Sequence, residues 1–396
     1  ERAALWPPGG RPPSIHTAPD KLPLRMPCVC KAACVGATAA AFSLACILYR
    51  RLRAAELRCS AEAAARAAEA TRKNELALEL MTTRNQLMHS AQSVEKGRTF
   101  VPAPSDVFVV TYPKCGTTWV MQIVHALRTG AETMAFGEIT EVVPWDVLAH
   151  DCGQDLSAPQ VAVPRAFKSH ATWPNICKGG RYLYVARDPV DAFYSFYKFL
   201  PAYTNLQPGD LTQEQFADAI FAGASHSGQI WDHFIGWWEQ RHNPDVMWLF
   251  YEDLKDDLPG SIARIAEFLG VPCSPALLER TASLSSFEFM SSPEQAHHFD
   301  DHFVRRHVLP KMGLPPDLPA AVSKVRRGGG TVGSKNTVPA HLRLRLERRW
   351  AETLQPATGC VSYAALRASY ETNRPMTPHA AYAPERPRIT SGWFSR

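Results

Sequence analysis

The sequence predicts an α/β protein in which helices cover both faces of a parallel sheet. Two observations support this fold class. Patterns typical of strands and of helices alternate from about residue 99 to residue 369, and a short loop rich in Gly and Thr joins the first strand run to a helix run. Strand and helix in turn indicate a three-layer arrangement with the sheet in the middle.

Composition limits the size and the partners of this fold. The chain has 396 residues, 45% hydrophobic and 20% charged, which fits one large domain with extensions or at most two domains. The net charge of +5 suggests anionic ligands but is too small to argue for nucleic acid, and no basic run with interleaved aromatic residues is present. The ten Cys are scattered without CxxC or zinc-type spacing, which predicts reduced thiols and no metal site.

Three segments precede the predicted globular domain. Residues 1–27 are rich in Pro, Arg and Gly and are predicted to be disordered. Residues 28–50 form a hydrophobic segment whose uncharged run, 32–49, has about 18 residues, the lower limit for a membrane span. It is interpreted as a retained anchor, with a cleaved targeting peptide or a soluble buried helix as the alternatives. Residues 52–94 lack Gly and Pro and predict one long helix, within a helical stalk assigned to 51–97.

Charge next to the hydrophobic segment bears on localisation. Arg50, Arg51, Arg53 and Arg58 follow it at once. The positive-inside rule then predicts a membrane-associated protein whose catalytic part faces the cytoplasm, although basic residues before the segment leave this orientation ambiguous. A soluble cytoplasmic or organellar protein is the alternative if the segment is cleaved.

The predicted catalytic domain covers 98–370, and a loose, Pro-rich tail is predicted at 371–396. Strands are predicted at 107–111, 165–169, 181–187 and 246–251. Helices are predicted at 117–128, 189–199, 212–221, 227–241, 261–269 and 275–282.

The loop between the first strand and the first helix of this domain predicts an anion site. A helix that begins in a Gly/Thr loop directs its unpaired N–H groups and its positive dipole end at a ligand. Lys114 and the hydroxyls of Thr117 and Thr118 add to this site, and Trp119 offers a face for stacking on a base. The loop differs from the common P-loop, in which Lys follows the last Gly, because Lys114 precedes Gly116.

The loop residues TYPKCGTTW, 111–119, resemble the phosphosulfate loop of the cytosolic-type sulfotransferases, the sulfotransferase 1 domain family. Members of this family take a sulfuryl group from PAPS (3′-phosphoadenosine 5′-phosphosulfate) and release PAP. The resemblance implies that Lys114, Gly116, Thr117 and Thr118 bind the 5′-phosphosulfate group. A generic phosphate loop is the alternative.

Cys115 is the one departure within this loop, because the family usually has Ser at this place. A thiol is a poorer hydrogen-bond donor than a hydroxyl, but the backbone N–H is expected to remain available for the cofactor. The thiol is also expected to make the site sensitive to thiol reagents.

The second motif is Phe167-Lys168-Ser169-His170, at the end of a short apolar strand. Ligands of an open α/β sheet collect at the carboxyl ends of the strands, which is where a general base is needed. A single His is more often structural. The segment is similar to the catalytic segment of the family, which implies that His170 is the general base and that Lys168 holds a sulfuryl oxygen.

The third motif begins with Arg187-Asp188-Pro189, where Asp188 suits the N-cap of a helix and Pro189 its first residue. Ser195 lies two turns into that helix, and an Arg at a strand end can grip one phosphate together with such a Ser. An Arg paired with Asp191 and a solvent-facing Ser is the structural alternative. The segment resembles the 3′-phosphate motif of the family, which implies that Arg187 and Ser195 bind the 3′-phosphate.

Two further segments, WLFYEDL at 248–254 and SSFEFM at 285–290, fit a core strand and a helix cap as bare sequence. They resemble family segments that contact the nucleotide. The resemblance implies that adenine and its surroundings are held by Trp119, Tyr251, Ser285, Phe287 and Met290.

The fifth motif is a basic, Gly-rich loop at 325–336. It resembles the family loop that closes over the 3′-phosphate, which implies that Arg326, Arg327 and Gly328 contact the cofactor. Arg327 replaces the Lys of the family and no Trp precedes Lys335, so the geometry of this loop differs from the family pattern. A flexible basic loop without a ligand is the alternative.

The five motifs in family order imply a P-loop-kinase-like sulfotransferase fold and a PAPS-dependent enzyme that needs no metal. It would move a sulfuryl group in line to a hydroxyl or an amine of a small acceptor. The implied catalytic residues are His170, Lys114, Lys168 and Ser195. The alternatives are a membrane-tethered nucleotide-binding module and a nucleotide kinase-like protein without sulfotransferase activity.

The acceptor pocket is expected from 133–150, 199–207 and 294–318. An apolar or phenolic acceptor would suit the aromatic residues Phe136, Trp145, Phe199, Tyr203, Phe299 and Phe303. A polar or anionic acceptor would suit the basic residues His297, His298, His302, Arg305 and Arg306. The sequence does not choose between these acceptors, and it does not predict the oligomeric state.

Overall fold

The computed structural model describes residues 39–132, 134–319, 323–325 and 337–372. The chain divides between Thr71 and Arg72 into two compact units. The predicted disordered segment, the first part of the hydrophobic segment (28–38) and nearly all of the predicted C-terminal tail lie outside the described residues.

A sheet of four parallel strands lies at the centre of the second unit. The strands are β1 (Val107–Thr111), β2 (Ala166–Ser169), β3 (Arg181–Ala186) and β4 (Val246–Phe250), in the order β2-β1-β3-β4. Every residue of the four strands is buried, as expected of a parallel sheet covered on both faces. The predicted fold class and the four predicted strands are confirmed.

Alternate residues of the strands enter two separate hydrophobic cores, because successive side chains of a strand point to opposite faces. Phe108 and Val110 of β1 belong to one core. Val107 and Val109 belong to the other. The sheet is therefore the middle layer of three.

Helices precede, connect and follow the four strands of the sheet. Before the sheet come α1 (Ala39–Leu87) and α2 (Ala91–Thr99). Between the strands lie α3 (Thr117–Thr129), α4 (Ile139–Val142), α5 (Pro189–Tyr203), α6 (Gln213–Phe221) and α7 (Ile230–Trp238). After β4 follow α8 (Tyr251–Asp256), α9 (Leu258–Leu269), α10 (Pro275–Leu284), α11 (Phe287–Met290), a 3₁₀ helix (Ala296–Phe299), α12 (His302–Val308), α13 (Ala340–Glu352), α14 (Leu354–Thr358) and α15 (Tyr363–Thr372).

The prediction of one helix over 52–94 is wrong at its C-terminal end. Ser90 interrupts it, because its side chain accepts a hydrogen bond from the N–H of Ser93 and caps α2. Asp151 fixes this break by accepting from the N–H of Ser90 at 2.8 Å and from its hydroxyl at 2.7 Å.

The end of α1 is part of the compact unit that contains the sheet. Residues 72–97, assigned from the sequence to a stalk, belong to the same compact unit as the sheet. Ala77 and Met81 are buried in the core that contains Phe108. Buried apolar side chains, which the Ala-rich composition of this stretch conceals, place the start of the unit earlier than residue 98.

The first unit is described from residue 39 to residue 71 and is helical throughout. Its helix surface carries two exposed ion pairs, Arg53–Glu56 at 3.4 Å and Arg66–Glu62 at 3.5 Å. No helix within the described residues is long and apolar enough to cross a membrane. The prediction of a transmembrane helix is therefore not supported by 39–50, the described part of the hydrophobic segment.

Candidate active site

The loop after β1 leaves the N-terminus of α3 open toward a cavity. Gly116 is the N-cap residue in the left-handed conformation (φ 105°), and no side chain caps the helix. A Cβ at this position would lie 2.9 Å from Cδ2 of Tyr251, so both the backbone and the ring require Gly. The free N–H groups of the first turn are thus available to an anion.

The carboxyl ends of all four strands meet around a cavity of about 940 Å³. The sequence-predicted residues that line it are Lys114, Gly116, Thr117, Thr118, Trp119, Lys168, His170, Arg187, Ser195, Tyr251, Ser285, Phe287 and Met290. The structure therefore brings together thirteen of the predicted site residues in one cavity.

His170 is held in a defined tautomer at the end of β2. Its Nδ1 donates to the carbonyl oxygen of Thr111 at 2.8 Å, because a carbonyl can only accept. The proton is therefore on Nδ1, and Nε2 carries a lone pair. Burial, with the nearby charge of Lys168 as the next cause, holds the pKa of His170 well below its ordinary value. The imidazole is neutral at physiological pH and is able to accept a proton.

Lys168 lies beside His170 within a group of buried charges. Its Nζ is 3.4 Å from the centre of the Trp145 ring, and burial followed by the charge of Lys324 lowers its pKa to about 7. Asp301 opposes this shift and also forms an ion pair with Lys324 at 2.5 Å. Burial raises the pKa of Glu138, in the same group, to about 8. A lysine with a pKa near 7 gains a proton readily when a negative charge binds beside it, because that charge raises its pKa.

Arg187 connects the end of β3 with the loop that follows β1. Its Nη1 donates to the carbonyl oxygen of Lys114 at 2.8 Å, and its guanidinium lies 4.3 Å from the centre of the Tyr251 ring. Its Nε is buried and has no hydrogen-bond partner among the described residues. The predicted cap is confirmed, since the side chain of Asp188 accepts from the N–H of Val190. Buried Ser195 of α5 lines the same cavity.

Aromatic residues form the wall beyond the loop. The indole N–H of Trp119 donates to the carbonyl oxygen of Ser285 at 2.7 Å, and its ring meets that of Tyr251 edge-on at 5.5 Å. Phe287 is 42% exposed and lines the cavity. The buried hydroxyl of Ser285 has no hydrogen-bond partner in the part of the chain that the structure describes. This wall offers apolar surface and an unused polar group to a planar ligand.

The expectations for Cys115 differ from its placement. Its side chain is fully buried and does not line the cavity. Its backbone N–H, expected to remain available, donates to the carbonyl oxygen of Tyr112 at 3.2 Å. Burial raises the pKa of the thiol to about 12, so the expectation of sensitivity to thiol reagents finds no support. The tight turn of the loop directs this side chain into the core.

Arg326, Arg327 and Gly328 lie outside the described residues. Among the residues that the structure does describe, no group of three or more His, Cys, Asp and Glu side chains could hold a metal ion.

Only some of the residues expected from the sequence to form the acceptor pocket line the cavity. Trp145, Phe199 and Tyr203 line the cavity. The predicted residues that do not line it are Phe136, Phe299, Phe303, His297, His298, His302, Arg305 and Arg306. Phe299 is buried in a core instead, and His297 is exposed.

Sequence reasoning missed several parts of this cavity wall, of which two matter most for the acceptor side. The first includes Asn85, Met88 and His89 at the end of α1, and the second is the turn 225–228. The signal for the first was the dipeptide His89-Ser90, since Ser at an N-cap marks the start of a new helix. The second had no sequence signal.

Residues 104–308 match the family described as the sulfotransferase domain. The chain belongs to this sulfotransferase family. It is 29% identical over 206 residues to Sulfotransferase 1C2 of Homo sapiens, covering 49% of this chain and 68% of that protein. It is 32% identical over 218 residues to Sulfotransferase 1B1 of Mus musculus, covering 50% of this chain and 69% of that protein.

Solved structures of sulfotransferases share the fold. A retinol dehydratase in complex with androsterone and the inactive cofactor PAP superposes with a TM-score of 0.52 at 20% identity, covering 66% of this chain and 84% of that one. Mouse sulfotransferase SULT7A1 complexed with PAP gives 0.50 at 20% identity, covering 71% of this chain and 95% of that one. At this identity the likeness concerns the fold alone.

Proposed function

We propose that this sulfotransferase family member transfers a sulfuryl group from PAPS to a hydroxyl or an amine of a small acceptor. The arrangement of His170 is the observation that carries the proposal. Its Nε2 lone pair is set by the Nδ1 hydrogen bond to Thr111, and the same cavity contains the uncapped N-terminus of α3. A base next to an anion site is what in-line transfer to an acceptor requires.

The cofactor would be bound by three groups of residues. The N–H groups of Thr117 and Thr118 would receive the 5′-phosphate, as helix N-termini do. Arg187 and Ser195, with Arg326 from the loop outside the described residues, would bind the 3′-phosphate. The buried, unpartnered Nε of Arg187 supports this role, because a buried guanidinium N–H needs an acceptor. The adenine would lie against Trp119, Tyr251 and Phe287.

The chemistry follows from the two lysines and the histidine. His170 would take the acceptor proton at Nε2 as the new oxygen–sulfur or nitrogen–sulfur bond forms. Lys114 would neutralise the charge that develops on the bridging oxygen as PAP leaves, when the old sulfur–oxygen bond breaks. Lys168 would contact a sulfuryl oxygen, and its pKa near 7 would rise when this anionic group binds.

The acceptor is proposed to be a small molecule with an apolar body. Trp145, Phe199 and Tyr203 form an aromatic wall of the cavity, and Phe199 stacks on Tyr203 with ring centres 5.2 Å apart. Androsterone in the retinol dehydratase complex shows that a protein of this fold holds such a molecule.

Thermal-shift measurements with PAP, ATP and ADP test the cofactor. A rise in the melting temperature with PAP alone supports the proposal. A rise with ATP or ADP that equals or exceeds the rise with PAP contradicts it and favours a kinase-like protein. Radiolabelled PAPS with a panel of phenols, alcohols and amines then tests transfer. PAP binding without transfer to any acceptor indicates a nucleotide-binding module.

A further inference from the structure

One end of the cavity is built by residues that precede the family match at 104–308. Asn85, Met88 and His89 at the end of α1 line the cavity together with the turn 225–228. These residues bring polar groups to the cavity, whose lining also includes the aromatic residues Trp145, Phe199 and Tyr203. The family motifs assign no role to these residues.

His89 has polar capacity that the protein does not use. Its Nδ1 is buried without a hydrogen-bond partner, and within the described residues neither ring nitrogen forms a hydrogen bond. The ring is fixed by edge-on contacts with Trp145, at 5.7 Å between centres, and with His226, at 4.3 Å. Burial is the main cause that lowers the pKa of His89 to about 3, so the ring is neutral and offers one donor and one acceptor.

The surrounding wall is assembled without the nitrogens of His89. The side-chain amide of Asn85 donates to the carbonyl oxygen of Ala224 at 2.8 Å, and Nε2 of His226 donates to the carbonyl oxygen of Asn85. These two bonds join the end of α1 to the segment around the turn 225–228. His89 is therefore held in place while its Nε2, which forms no hydrogen bond within the described residues, remains available to a ligand.

Trp145 separates His89 from the proposed base. Its ring meets His170 edge-on at 5.0 Å and His89 edge-on at 5.7 Å. Met88, Phe199 and Tyr203 line the same cavity. A ligand that reaches from His170 to His89 therefore crosses an aromatic and apolar surface and ends at a neutral imidazole.

We propose that His89 determines acceptor specificity by hydrogen bonding to a second, neutral polar group at the far end of an elongated acceptor. This inference rests on the proposed sulfuryl transfer. The acceptor class is a phenol or an alcohol with a flat apolar body and a remote hydroxyl, carbonyl or amide. A remote carboxylate fits less well, because the neutral ring offers it no charge and the site would desolvate it.

Two matched acceptors test the inference, 4-phenylphenol and 4′-hydroxybiphenyl-4-carboxamide. They share the reacting phenol and differ in the remote amide. The wild-type protein is expected to favour the carboxamide by about 10-fold in kcat/KM, mainly through KM, because one added hydrogen bond in a desolvated site has this scale. His89→Phe keeps an aromatic ring beside Trp145 and is expected to reduce the ratio to about 1.

His297→Phe serves as the control, because His297 is exposed and does not line the cavity. It is expected to keep the wild-type ratio. His89→Gln, which retains neutral hydrogen-bonding groups, is expected to retain part of the preference and serves as the second variant if His89→Phe is unstable. An unchanged ratio in both His89 variants overturns the inference, since it would mean that only water pairs with His89.

Calorimetric binding of both compounds to the PAP-loaded protein separates this inference from the proposed function. Failure of both compounds to bind overturns the assignment of the acceptor class. Binding with the expected preference but without transfer from PAPS contradicts sulfuryl transfer and leaves the role of His89 intact.

Discussion

The proposed cofactor half and the proposed acceptor half of the cavity are built in different ways. The cofactor half uses backbone groups and strand-end residues, such as the uncapped start of α3 and Arg187. The acceptor half uses side chains from the end of α1, the turn 225–228 and Trp145. A backbone site depends on the fold and on a few special residues, whereas a side-chain wall changes with single substitutions. We therefore expect that single substitutions can change acceptor choice and cofactor binding separately.

Replacement of the proposed base, His170, should have the largest effect on turnover and should leave PAP binding nearly unchanged. His170→Ala is expected to lower kcat about 10²- to 10⁴-fold, the usual contribution of a positioned general base. PAP affinity is expected to change less than about 2-fold, because His170 hydrogen-bonds to Thr111 and has no proposed contact with the nucleotide. Transfer from radiolabelled PAPS to 4-phenylphenol gives kcat, and calorimetry gives the PAP affinity. Turnover at the wild-type rate would refute the role of His170.

Replacement of Arg187 should mainly weaken the binding of PAP. Arg187→Ala is expected to raise the Kd of PAP about 10- to 100-fold, because hydrogen bonds to charged groups contribute about 1.5–3 kcal/mol. Arg181→Ala is the matched control, since Arg181 begins the same strand and its Nη1 donates to the carbonyl oxygen of Phe268 at 3.0 Å. The control should lose stability but keep its PAP affinity. Equal weakening in both variants would assign a structural role to Arg187.

The two ends of α3 allow a comparison of glycine substitutions. Gly116→Ala should weaken PAP binding on the order of 10-fold, because the new Cβ displaces the Tyr251 ring or the loop. Gly130 also has a positive φ, of 77°, but a Cβ there meets nothing closer than 3.7 Å. Gly130→Ala should therefore lose about 1–2 kcal/mol of stability from backbone strain alone and leave the Kd unchanged. Chemical denaturation and calorimetry measure the two quantities, and equal PAP affinity in both variants would contradict the proposed crowding.

Binding of PAPS in the absence of acceptor should depend on pH through Lys168. Its pKa is about 7 in the free protein, because burial and then the charge of Lys324 lower it more than Asp301, Glu138 and Asp146 raise it. The negatively charged sulfuryl group of PAPS favours the charged form of Lys168. PAPS binding is therefore unimpaired below pH 7 and requires proton uptake by Lys168 above it.

The affinity for PAPS should therefore fall about fivefold between pH 7 and pH 8. PAP lacks the sulfuryl group, so its binding should depend less on pH. Lys168→Met should remove the pH dependence of PAPS binding. Calorimetry in buffers of different ionisation enthalpy detects the proton uptake, and equal uptake with PAP and PAPS would count against the contact.

The smallest effect is expected at Cys115. Iodoacetamide should label exposed Cys46 and Cys59 well before buried Cys115, since the pKa of this thiol is raised to about 12. PAP affinity should change less than about 2-fold at that stage. Mass spectrometry of peptides locates the label, with denatured protein as the reference for full labelling. Early labelling of Cys115 would show that the loop opens in solution.

The cofactor half could be predicted from the sequence because its chemistry lies in short contiguous motifs. The loop around Gly116 and the cap at Asp188 each show a local signal within a few residues. The proposed acceptor half could be predicted only in part. Trp145 belongs to an expected stretch, whereas the end of α1 and the turn 225–228 are brought to the cavity only by tertiary packing. The direction of the Cys115 side chain was missed for the same reason, since burial of one loop residue depends on the complete turn.

The hydrogen bonds between Ser90 and Asp151 place the end of α1 beside the sequence that matches the family. One wall of the substrate chamber is thus supplied by a segment outside the matched region. A gene truncated to that region would keep the motifs around Gly116, His170 and Arg187, and would lose this wall together with the basic loop at 325–336. If the proposed roles hold, exchange of the segment around 85–98 is a route by which evolution changes the acceptor and leaves the cofactor site intact.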